Sequence, residues 1–125
     1  MDVTPLVKEG AQIIQGYANG SFRISGKVFK GAVFVLMDQS IAWGFDGDAK
    51  ALSEADFQIL IEDHDNIDVV LLGTGAALTF PDPALKRVLK ERGLNVEVMD
   101  SGAACRTYNV LMAEGRRVVA ALLPL

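Results

Sequence analysis

Asp68-Val69-Val70-Leu71-Leu72-Gly73 decides the fold, because it opens an alternation of strand and helix that runs to the end of the chain. Four consecutive apolar residues held between Asp68 and Gly73 read as a short strand buried on both faces. The loop Gly73-Thr74-Gly75 follows. Pro81-Asp82-Pro83 then opens a helix with Leu85, Val88 and Leu89 inward and Lys86, Arg87 and Lys90 outward, and Gly93 stops it. Asn95-Val96-Glu97-Val98-Met99 is the next strand. A further helix runs from about Ser101 to Glu114, and Val118-Val119-Ala120-Ala121-Leu122-Leu123 is a last strand before Pro124. Both helices are long enough to cross over between parallel strands, so a parallel β-α-β-α-β unit is expected.

Upstream the period changes. Ala11 to Tyr17 leads into Asn19-Gly20, the strongest short hairpin signal, since both residues tolerate φ > 0. Ser21-Phe22-Arg23-Ile24-Ser25 alternates apolar and polar as a half-buried strand does. Gly26-Lys27 allows another turn before Val28-Phe29. Ala32 to Met37 is continuously apolar and reads as buried on both faces, and Asp38-Gln39 turns the chain into Ser40 to Phe45. These segments predict antiparallel hairpins. Ser53 is an N-cap for a helix whose Phe57, Leu60 and Ile61 share one face, with Glu54 and Asp56 in the first turn where the helix dipole favours anions. The class is α/β, and the 125 residues suit one domain spanning 1–125.

Composition excludes several functions. With 12 Lys plus Arg against 16 Asp plus Glu, the net charge of −4 argues against general nucleic-acid binding. One cysteine, Cys105, rules out an internal disulfide framework and any zinc or iron–sulfur cage built on cysteines. The longest apolar stretches fall far short of the roughly 20 residues that span a bilayer. The acidic start lacks the features of a secretory signal or an Arg-rich transit peptide, which makes the cytoplasm the expected location.

Chemistry is expected beyond the carboxyl ends of the parallel strands. Two such ends can be placed: Gly73-Thr74-Gly75, and Asp100-Ser101-Gly102-Ala103-Ala104 at the start of the last helix, with Arg106 one turn in and Asn109 further along. Free N–H groups at a helix start attract anions. Gly73-Thr74-Gly75 is nevertheless neither a dinucleotide fingerprint nor a P-loop. Ser101 lies in no nucleophile elbow, and the one histidine, His64, sits in an acidic stretch. Small residues around Ser101 equally serve close backbone approach. Residues 46–68 hold eight carboxylates against Lys50 alone, yet they do not continue as an EF-hand loop. Cys105, beside Ala104, Tyr108, Leu111 and Met112, reads as a buried apolar residue on a helix covered on two sides. Arg116 lies past the end of that helix, where a cation is favoured, and is expected to serve structure.

The stretch Ala103-Ala104-Cys105-Arg106-Thr107-Tyr108-Asn109-Val110-Leu111, followed by Glu114-Gly115-Arg116-Arg117-Val118, together with Trp43, Gly73-Thr74-Gly75 and Pro81, resembles a known family. It is the family shared by the adipogenesis-associated Mth-domain protein and a mitochondrial complex I assembly factor. The resemblance implies an α/β fold with strands on more than one side of the helices and a hammerhead-like arrangement of N-terminal hairpins. It carries no established activity, and the assembly-factor member acts through protein contacts. Two functional expectations follow. The first is a cytoplasmic, non-enzymatic interaction or assembly module with a protein partner, no cofactor and at most peripheral membrane association. The second is an enzyme or sensor that takes a small anion in the crevice of Gly73, Thr74, Gly75, Ser101, Arg106 and Asn109.

Overall fold

The computed structural model describes residues 10–125. The acidic start read above as lacking a leader lies outside the described residues.

Two sheets enclose one helix. The first is antiparallel, in the order β1 (Ile14–Ala18), β2 (Ser21–Ile24), β3 (Lys27–Lys30). Asn19 and Gly20 take φ of 52° and 77°, the left-handed pair that a two-residue hairpin needs. The second turn falls on Ser25-Gly26, at φ 45° and 85°, one residue earlier than Gly26-Lys27. Ser25 bears this strained conformation because its hydroxyl accepts from Ile13 N and donates to Ala11 O.

The second sheet has five strands in the order β5 (Ser40–Ala42), β4 (Val33–Val35), β8 (Val118–Leu122), β6 (Val69–Gly73), β7 (Val96–Met99). β6 runs parallel to both β7 and β8, which is the expected β-α-β-α-β unit. The hairpin of β4 and β5 joins it by antiparallel pairing of β4 with β8, so the N-terminal strands divide between two sheets. β5 ends at Ala42, short of the expected Phe45, because Gly44 leaves the extended region at φ 75°, and Trp43 packs against the core. Its indole stacks 4.5 Å from Phe34 and meets Phe57 edge-on at 5.3 Å, and its Nε1 donates to Asp56 O.

The helix predicted after Ser53 begins as a 3-10 turn, Glu54–Phe57, and becomes α-helical only over α1 (Gln58–Glu62). The Asp56 carboxylate accepts from the Ser53 N–H and hydroxyl, which tightens that first turn. α2 (Pro83–Glu91) has Asp82 as its N-cap and buries Leu85 and Leu89. Both helices cover one face of the large sheet, packing on Val70, Leu72, Val119 and Ala121. α3 (Ser101–Ala113) covers the other face, and the small sheet closes over α3. Ala104, Cys105, Tyr108 and Met112 meet Val69, Leu71 and Val118 on one side and Ile14, Phe22 and Ile24 on the other. Layers therefore run small sheet, α3, large sheet, α1 with α2. Each fully buried Leu, Val or Phe in these layers contributes about 1.5–3 kcal/mol, and α3 draws on two apolar surfaces at once.

Candidate functional site

At the carboxyl ends of β6 and β7, where a crevice was expected, the polar groups of the loops bind one another. Ser101 is fully buried. Its hydroxyl donates to Leu123 O at 2.6 Å and accepts from Gly75 N at 2.8 Å. Ser101 N in turn donates to Gly75 O, Thr74 N to Met99 O and Leu123 N to Gly73 O. The hydroxyl thus ties together the loop after β6, the start of α3 and the end of β8. Thr74 Oγ1 donates to Ala77 O and accepts from Thr79 N, which folds the loop back on itself. A Cβ on Gly73 would stand 2.8 Å from both Cα and Oγ of Ser101, so glycine is required for this approach.

Asn109 does not reach this crevice. Its side-chain amide donates to Ile14 O and accepts from Ile14 N, standing in for a neighbouring strand at the irregular point of β1. Arg106 is exposed and lies beside Gly102. A Cβ there would meet the Tyr17 hydroxyl at 2.7 Å, and Arg106 Nη1 and Asp100 Oδ1 at 3.4 Å. Asp100 is occupied as the N-cap, accepting from Ala103 N. The structure therefore brings Gly73, Thr74, Gly75 and Ser101 together, sets the exposed Arg106 guanidinium beside Gly102 at the start of α3, and places Asn109 away from them against β1.

Cys105 is buried, and desolvation pushes its pKa up to about 12 against a smaller opposing pull from Arg106. Burial raises the Tyr108 phenol likewise, with Asp38 adding to the shift. The Tyr108 hydroxyl bonds Gln12 O and Leu36 O, linking the start of the small sheet to the end of β4. Of the two arginines after α3, Arg117 is the one tied into the chain. It donates to Asp65 O and pairs with Asp68 at 2.9 Å, and its side-chain and backbone hydrogen bonds to the Asp68 carboxyl hold that group below its usual range. Arg116, expected to serve structure, forms no side-chain hydrogen bond or ion pair among the described residues.

Among the described residues, the opposite end of the large sheet is open. A cavity of about 780 Å³ lies between Gly10–Ala11, the β4–β5 turn, the segment around Asp63–Ile67 and the turn from α3 to β8. Leu36, Met37 and Met112 give it apolar walls, and Asp38, Asp63, Arg116 and Arg117 supply charges. The sequence reading missed it because its walls come from four separate segments, none of which carries a motif.

A two-sheet α/β body clasping a central helix, with an interlocked loop crevice at the parallel strand ends, defines the class of protein. Residues 14–123 match the family described as a protein of unknown function (DUF498/DUF598), and the chain belongs to that family. It is 39% identical to an uncharacterised protein of Rhodobacter capsulatus over 93% of this chain and 87% of that one. It is 32% identical to the bovine NADH dehydrogenase [ubiquinone] 1 alpha subcomplex assembly factor 3, over 91% of this chain and 61% of the relative. The chain thus spans about three-fifths of that assembly factor. The solution structure of a Bordetella pertussis protein described as an Mth938-like domain superposes with a TM-score of 0.81 at 27% identity, covering 99% of this chain and 92% of that one. The family resemblance and the fold expected from it hold.

Proposed function

We propose that this chain is a non-enzymatic assembly-factor-like protein that binds a protein partner during the building of an NADH dehydrogenase-type respiratory complex. The observation that carries the reading is the similarity to assembly factor 3, which extends over nine-tenths of this chain. The crevice geometry agrees with it. The hydroxyls of Thr74 and Ser101, the side chains a small-anion enzyme or sensor would use, are both engaged within the chain. We assign Gly73, Thr74, Gly75, Ser101 and Asn109 to the fold, and Arg106, exposed on α3, to the surface open to a partner. The 125 residues act as one unit in the cytoplasm, at most peripheral to a membrane; among the described residues no helix is long and apolar enough to cross one.

Deleting the chain in its native host, with native-gel quantification of NADH dehydrogenase, tests the reading. The expected result is loss of the mature complex and accumulation of partial assemblies, reversed by the wild-type chain. An unchanged level of mature complex overturns it.

A further inference from the structure

Four charged side chains line the cavity at this end of the large sheet, and the described residues provide partners for only two. Asp63 accepts from Asn66 Nδ2, and Arg117 pairs with Asp68. Asp38, on the β4–β5 turn, and Arg116, after α3, are exposed and have no hydrogen bond or ion pair from their side chains among the described residues. The lining also includes Leu36, Met37 and Met112, and the backbone of the β4–β5 turn is already fixed: Met37 O accepts from Gln12 N, Leu36 O from the Tyr108 hydroxyl, and Leu36 N donates to Gln39 O. The cavity is thus held in shape before anything enters it, which lowers the ordering cost of binding. Met37 and Met112 give it polarisable, adaptable surface, of the kind found where irregular apolar side chains are received.

A cavity that combines apolar side chains with exposed charges of opposite sign has the composition of a protein-binding surface. We propose that this cavity receives a short segment of a partner protein, with an apolar side chain against Leu36, Met37 and Met112, an acidic residue facing Arg116 and a basic residue facing Asp38. The proposal rests on the assembly reading only in taking the occupant to be a protein.

The test places a photoreactive residue at Met37 of the full chain in the native host, with Val28, on the outer face of the small sheet, as control. The expected result is a heterologous adduct from Met37 and none from Val28, mapping to a segment with an apolar residue between an acid and a base. A synthetic peptide of that segment binds the purified protein. Arg116→Glu weakens it at least about tenfold, and exchanging the peptide's acid for lysine restores binding to that variant, as a direct charge contact requires. Arg116 makes no side-chain bond within the described chain, so the variant folds, and its unchanged melting curve verifies this. Overturning results are no adduct from Met37, an adduct within the chain itself, an adduct with a second copy, or peptide binding indifferent to Arg116 and Asp38. The deletion phenotype is read separately, so either proposal can fail while the other stands.

Discussion

The two ends of the five-stranded sheet make opposite use of the same kinds of residue. At the carboxyl ends of β6 and β7, the Ser101 and Thr74 hydroxyls and the neighbouring backbone groups are drawn into bonds that clamp two loops and the last strand. At the other end, hydrogen bonds fix the backbone but leave Asp38, Arg116, Met37 and Met112 facing a cavity. In parallel α/β sheets the first position is where ligands are expected. Here it has become a structural lock, and the open surface lies at the end where no such rule points. Sequence shows where hydroxyls and glycines stand, but not which of them the fold consumes.

The largest expected effect concerns the buried face of α3 around Cys105, which neither end should expose. With its pKa pushed up to about 12, the Cys105 thiol should label roughly a thousandfold more slowly than a free thiol near neutral pH, and rapidly once urea unfolds the chain. The same shift makes stability pH-dependent. The folded state holds this proton more tightly than the unfolded one, so the contribution is complete below about pH 8.5, where a free thiol titrates, and declines as pH rises toward the folded value. Denaturant midpoints from pH 7 to 10 should fall on the alkaline side, less steeply in Cys105→Ala. Fast labelling of the native protein breaks the comparison, since one end would then open onto Cys105.

Next in size is the lock itself. Gly73→Ala drives a Cβ to 2.8 Å from Ser101 Cα, a backbone contact with little room to yield, and should cost about 3 kcal/mol in a urea melt. Ser101→Ala leaves Leu123 O and Gly75 N without their hydroxyl partner and should cost about 2 kcal/mol. A loss below a few tenths of a kcal/mol in either would make the crevice looser than its geometry. The two terminal arginines sharpen the contrast at smaller scale. Arg117→Ala should cost up to about 1 kcal/mol, as an exposed ion pair does, and Arg116→Ala less than about 0.5 kcal/mol in the same melt. The reverse order would exchange their roles.

The order of strands and helices from Asp68 onward was legible because the period of apolar residues changes between β6, α2 and β7, and Pro83 and Gly93 mark the ends of α2. The two-sided burial of α3 was legible too, since Ala104, Cys105, Tyr108 and Met112 leave little of the helix polar. What sequence could not supply is pairing between distant segments. Nothing local places β4 against β8, 87 residues on at the Phe34–Ala121 pair, and that pairing is what divides the N-terminal strands between two sheets. Asn109 shows the same limit at the site. Its amide looked available for a ligand, but 95 residues earlier in the chain Ile14 presents the strand edge it fills.

The most direct test of the lock is a titration of the isotope-labelled protein with inorganic phosphate, followed by two-dimensional NMR. The Gly75 and Ser101 amides are bonded within the chain, so their resonances should stay in place through millimolar phosphate, with small, non-saturating shifts confined to exposed sites such as Arg106. Saturable shifts centred on Gly75, Ser101 and Gly102 would contradict the account and make the crevice an anion site.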